Sequence, residues 1–194
     1  MSTPGKPHHP HVAETLEQLK EHTETTHVWL ADRLDSLIRH IGHGVAWLNG
    51  LLVLVIITQV VLRYGFNSGL VPLEELQWHI YATAMMFGIS YAVVSDSHIR
   101  VDVLHNLYSD RAKRIIEIIG ILLFLLPFAW VVFHHSLDFV YDSWRVSETS
   151  DAPTGLPYRW AIKSVISISF GLLLLAAFSR LVRDVTLLLR KGEK

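Results

Sequence analysis

The chain contains 12 histidines and no cysteine. The missing thiols exclude disulfides, thiolate catalysis, Cys-ligated zinc and iron–sulfur clusters, which leaves imidazole as the main ligand chemistry on offer. His79 opens one apolar stretch and His134 with His135 closes the next. In an antiparallel pair of helices these lie at similar depth. Two imidazoles facing each other across a four-helix bundle would be axial ligands for a b-type haem. His43 with His98 offers a second pair at the opposite border. A histidine wetted at a membrane border needs no ligand, so interfacial solvation is the competing reading. His8, His9 and His11 sit in a Pro-bearing tail (MSTPGKPHHPH) with no second ligand cluster after them, and a disordered arm accounts for them.

Two clusters of charge stand out. Glu74 and Glu75 precede Trp78 at the start of an apolar stretch, where a helix dipole favours carboxylates; they read as a solvated helix start or as an anchor for another chain. Asp96, His98, Arg100 and Asp102 form a dense alternating group that suits either a local ion-pair network or a partner contact. Inside the apolar stretches polarity is sparse: Asn49, Thr58 and Gln59 in the first, Glu117 and Asp138 at the two ends of the third, Arg159 and Lys163 at the outer end of the fourth. A carrier working alone holds ions and substrate on polar groups at mid-membrane. This sequence lacks such a set, which points away from an enzyme or a self-sufficient transporter and toward a subunit that packs against a larger partner, with no cofactor.

The elements that position these residues are helices. Charged residues make up 18% of the chain against the roughly 25% usual in soluble domains. Four windows, 45–62, 76–95, 118–137 and 160–181, are nearly free of charge, and at about 1.5 Å per residue each spans roughly the 30 Å of bilayer hydrocarbon. The expected fold is all-α and polytopic, with four transmembrane helices over about 45–63, 76–95, 115–138 and 160–182. No two-residue alternation supports a β-barrel. A formal net charge of −1 gives no reason to expect nucleic acid. The first forty residues are polar, so no secretory signal peptide is expected.

Three segments follow: a disordered tail over 1–11, a cytoplasmic or interfacial amphipathic helix over 12–42, and the four-helix membrane domain over 43–190. Leu16, Leu19, Leu30, Leu34, Leu37, Ile38 and Ile41 recur at helical steps in the second segment. Trp29, Arg33 and Arg39 suit a membrane surface there. Thirteen of the 17 basic residues fall in the segments before span one, between spans two and three, and after span four, so both termini are expected in the cytoplasm. Pro127 predicts a kink in span three. Ala46 with Gly50, Ala84 with Gly88 and Ser167 with Gly171 are small residues one turn apart, suited to close packing within the bundle or against another subunit. Pro153, Gly155 and Pro157 make the long external loop turn-rich, and Trp144, Tyr158 and Trp160 fit an aromatic belt.

Over roughly residues 40–190 the chain resembles the small membrane subunit of tripartite ATP-independent periplasmic (TRAP) transporters, the DctQ type. The likeness is carried by the four-span profile, by EELQW at 74–78, by HIRVD at 98–102 and by GLPYRW at 155–160 leading to Lys163. It implies residence in the bacterial inner membrane beside a large membrane subunit that carries sodium and substrate sites. It also implies a periplasmic substrate-binding protein that delivers an organic anion or zwitterionic solute. The small subunit would then be a static scaffold in an elevator-type mechanism. On that reading Glu74, Glu75, Trp78, His98, Arg100 and Asp102 are candidates for the large-subunit interface. Trp144, Arg145, Tyr158 and Arg159 are candidates for docking the binding protein.

Overall fold

The computed structural model describes residues 28–95 and 110–190. The tail at 1–11, the first part of the amphipathic segment and the whole HIRVD stretch with His98, Arg100 and Asp102 lie outside the described residues. Within them the chain is all-helical. Helix α1 runs over Trp29–Gly65, α2 over Val71–Val94, α3 over Asp110–Gly120, α4 over Leu126–Arg145 and α5 over Arg159–Arg190. A π-helical segment, Ile121–Leu125, joins α3 to α4.

Three helices are long and apolar enough to cross a membrane: Trp29–Gly65, Arg111–Arg145 and Arg159–Leu189. The second of these is α3, the π segment and α4 taken together. Helix α2, expected as a fourth crossing, is long enough at 24 residues. Gln77, Trp78, His79 and two tyrosines dilute its apolar content, so it does not join the three by hydropathy.

Residues 29–42, expected as an interfacial piece, continue into the first span as one 37-residue helix of about 55 Å. Its packed positions form a narrow seam: Ala31, Asp35, Ile38, Gly42, Val45, Leu48, Leu52, Val55, Gln59 and Leu62. These recur at three- and four-residue steps, much as the a and d positions of a heptad do. Beyond the seam almost every side chain of the membrane half is exposed.

Helix α5 is the hub. In its apolar window 39% is buried, against 6% for α1 and 11% for Arg111–Arg145. It packs on α1, α2, α3 and α4, while α1 also lies along α2. The core joins Ile38, Val93, Val94, Ala129, Leu173 and Ala176. The largest fully buried side chains are serines: Ser90, Ser143, Ser169 and Ser179. Such residues let backbones approach closely where no water drives association. Ser90 donates to the Ser169 carbonyl at 3.0 Å and Ser167 bonds Ser136 at 2.8 Å, so helices are tied in pairs through α5.

Of the three small-residue pairs only Ser167 with Gly171 lies inside; a Cβ on Gly171 would meet Phe133 at 3.3 Å. Gly50 and Gly88 open onto free space. The expected disturbance at Pro127 takes the form of the π segment, in which the Leu126 N–H reaches back five residues to the Ile121 carbonyl. Pro127 cannot donate, and the widened turn absorbs the missing bond.

Candidate functional site

Polar side chains concentrate at the two ends of the bundle. At one end the α4–α5 loop folds over the start of α2. Glu75, in the first turns of α2, accepts through Oε1 from the Ser150 hydroxyl and through Oε2 from the Leu156 N–H at 2.6 Å. These two hydrogen bonds, Ser150 first, hold its carboxyl below the ordinary carboxylate range, with the nearby His79 and Arg159 assisting. The loop closes on itself through Ser150 N–H to the Leu156 carbonyl at 3.2 Å. Gly155 stands where this crossing is tightest: a Cβ there would run into Ser150 and meet Glu75 Oε1 at 2.7 Å.

The base of the loop is locked separately. Lys163 on α5 pairs with Glu148 and lies over the Phe139 ring at 3.9 Å. That ion pair is the main cause of the lowered Glu148 carboxyl pKa. The Arg159 N–H donates to the Glu148 carbonyl at 3.0 Å, and its guanidinium reaches Asp151 at 3.3 Å. Across the first turn, Gln59 donates to the Leu70 carbonyl at 3.2 Å and accepts from the Leu70 N–H at 3.4 Å, which pins the entry to α2. Gln59 is thus spent on the fold rather than on cargo.

The sequence candidates at this end divide in two. Glu75 and Arg159 are engaged within the chain. Glu74, Trp78, Trp144, Arg145 and Tyr158 are exposed. Glu74 and Trp78 continue into Tyr81, Met85, Gly88 and Ile89, a single outward stripe along α2. Trp144 and Arg145 end α4, where Arg145 makes an exposed pair with Asp142 at 3.8 Å. Tyr158 has φ 61° and is 65% exposed, a left-handed conformation that turns the chain into α5 with its ring outward.

His134 and His135 are exposed neighbours on α4, and Trp130 stacks on His134. His79 is on α2, and both helices pack on α5. Among the described residues no group of three His, Cys, Asp or Glu side chains is placed to hold a metal.

The opposite end carries residues that sequence reasoning missed. Arg183 of α5 bridges Asp32 Oδ1 at 2.9 Å and Asp35 Oδ2 at 2.6 Å on α1. Ser179 donates to the other Asp35 oxygen at 2.6 Å. One turn of α5 also meets α3: Arg114 pairs with Asp184 at 3.3 Å and Arg180 with Glu117 at 2.8 Å. Arg39 donates to the Val94 carbonyl at 3.0 Å, satisfying a backbone group at the α2 terminus. The available signal was the acid spacing at 32 and 35 against the bases at 180 and 183; Arg33 and Arg39 drew the same segment toward a lipid-surface reading.

The sequence profile described as "Tripartite ATP-independent periplasmic transporters, DctQ component" matches residues 52–187. The chain belongs to the DctQ family. A putative TRAP transporter small permease protein of Haemophilus influenzae is 26% identical over 119 residues, covering 61% of this chain and 74% of that protein. The sialic acid TRAP transporter permease protein SiaT, also from Haemophilus influenzae, is 27% identical over 128 residues, 63% of this chain. The match takes up only 20% of SiaT's length. No solved structure matches. As a DctQ-type protein with several long apolar helices, the chain is a multi-pass membrane component of a transporter rather than an enzyme.

Proposed function

We propose that this DctQ-type chain is the fixed scaffold of a TRAP permease, bracing a large membrane subunit that carries out sodium-coupled uptake of an organic anion or zwitterionic solute. The observation that carries the reading is where the polarity goes. Glu75, Glu148, Gln59 and Lys163 tie one end of the bundle, and Asp32, Asp35, Arg183, Asp184, Arg114 and Arg180 tie the other. Between these girdles the interior is serine, alanine and aliphatic side chains, closely packed. A bundle laced at both ends and sheathed in apolar side chains suits a stationary brace. The SiaT match adds support, since there a region like this chain accounts for a fifth of a much longer permease protein.

In this proposal α2 is the fourth crossing, because it runs between the same two polar ends as its neighbours, from Glu75 beside the loop to Val94 beside Arg39. Asp32 and Arg183 belong to one end, which faces the cytoplasm with both termini. Glu74 and Trp78 contact the large subunit, together with His98, Arg100 and Asp102. The loop bearing Trp144, Arg145, Tyr158 and Arg159 meets the periplasmic binding protein, and Glu75 shapes that loop from within.

Co-expression with the large permease subunit and affinity purification through a tag on this chain tests the reading. Stoichiometric recovery of the large subunit is expected. Recovery of this chain alone, or solute accumulation by liposomes containing this chain alone, would overturn it. For orientation, alkaline phosphatase fused after Lys194 is expected to be inactive and a fusion within the 146–158 loop active; the reverse pattern refutes the assignment.

A further inference from the structure

Two concavities meet at the Asp35–Arg183 end of the bundle. The polar one, about 430 Å³, is lined by Asp32, Asp35, Arg39, His40, His43 and Arg183. The mainly apolar one, about 210 Å³, is a trough between α1 and α2 lined by Gly42, Val45, Ala46, Asn49, Ala84, Gly88 and Tyr91. His43 borders both and lies edge-on to the Tyr91 ring at 5.7 Å. The trough exists because small residues floor it. A Cβ on Gly88 meets nothing within 4 Å, whereas at Gly42 it would run into the Tyr91 ring that closes that end.

The polar pocket carries both signs. Arg183 is matched by the carboxylates of Asp32 and Asp35. Arg39 uses one N–H on the Val94 carbonyl, and a guanidinium has five donors. Arg39, His40 and His43 are exposed beside it. All of this sits where the apolar run of α1 begins, at a membrane border. A helix is about 10 Å across with its side chains and would only rest on the rim of so small a trough; a single acyl chain enters it.

We propose that the chain holds one phospholipid with a zwitterionic, amine-bearing headgroup at this place. Its phosphate takes the donors of Arg39, His40 and His43, its ammonium lies on the Asp32–Asp35 side, and one acyl chain fills the trough along Gly88. Basic and acidic side chains together complement such a headgroup, as basic groups alone complement an anionic one. The proposal does not rest on the scaffold reading, since it concerns this chain and lipid only.

The test uses the full chain equilibrated with vesicles of equal parts phosphatidylethanolamine and phosphatidylglycerol, re-extracted in mild detergent and examined by native mass spectrometry. One retained phosphatidylethanolamine per chain is expected. Gly88→Leu fills the trough and His40→Glu repels the phosphate; each is expected to lower retention roughly tenfold, the equivalent of about 1.4 kcal/mol. Met85→Leu, on the same outward stripe of α2 but outside the trough lining, is expected to retain the lipid. Circular dichroism checks that each variant is helical, and His40→Glu reads the headgroup pocket independently should Gly88→Leu unfold. Absence of a retained lipid, phosphatidylglycerol in its place, or undiminished retention in both folded variants would overturn the proposal. So would Gly88→Cys, in this cysteine-free chain, crosslinking to a helix of a co-expressed large permease subunit instead of being shielded by lipid.

Discussion

Glu75 shows how a side chain's role changes once its neighbours are known. In the sequence it is half of an acidic pair at a helix start, equally suited to a partner anchor. In the fold its two oxygens organise the α4–α5 loop, and Glu74 alone remains outward. The carboxylate form makes both hydrogen bonds, so its folded pKa lies below the ordinary 4.5. A depressed carboxyl contributes stability that is fully present above the unfolded pKa and is lost as pH falls through the folded one. The Leu156 amide is therefore expected to keep its hydrogen-exchange protection from neutral pH to below 4.5 and to lose it in stronger acid. Glu75→Gln is expected to weaken that protection at every pH. Full protection in Glu75→Gln at neutral pH would show that the loop is held by other contacts. The pairing was not legible beforehand because Ser150 and Leu156 lie far from Glu75 in sequence and nothing in their residue types marks them as its partners. The GLPYRW stretch was legible as a turn, though not as the tight crossing that Gly155 permits.

At the scale of the element, the π segment decides which face of the third long helix meets α5. A regular α-helix turns about 100° per residue, so Glu117 and Ala129, twelve positions apart, would point about 120° away from each other. One extra residue in the widened turn removes about 100° of that offset. Glu117 then reaches Arg180 while Ala129 is fully buried in the core. Deleting Leu123, which is 65% exposed in the π segment, is expected to restore a regular helix with both faces still on α5. Thermal stability in detergent should change by less than about 1 kcal/mol. Deleting Val131, in regular helix, is expected to turn one of the faces outward and to destabilise several-fold more. Equal damage from the two deletions would sink the idea that the segment is a register device. Pro127 announced a disturbance in the sequence. Its form was hidden, since only the two packed faces, one on each side, reveal that a residue has been inserted.

For the whole molecule, hydropathy located the long helices and left their faces undetermined, for a physical reason. Lipid solvates the outward side of α1 as well as protein solvates its seam, so Leu51, Val53, Leu54 and Ile57 are as apolar as the packed Leu52 and Val55. What fixes the helices relative to one another is polar, and the α1–α5 clamp is one buried instance. Asp35 is 8% exposed and its partners come from the far end of the chain, Ser179 and Arg183. Removing Arg183 leaves the Asp35 charge without its match, which costs about 3–5 kcal/mol when the pair is buried. Arg183→Met is expected to fall toward that range in equilibrium unfolding from detergent micelles, and Asp35→Asn, which leaves Arg183 on Asp32, to cost less. If the pair acts as a unit, the double variant loses less than the two single losses combined, with a coupling of about 0.5–3 kcal/mol. Strict additivity would mean that Arg183 and Asp35 are neighbours without being a clamp. The first turns of α1 would then be held on α5 by the packing of Ala31 and Ile38, helped by the Ser179 hydroxyl on the Ala31 carbonyl at 3.1 Å.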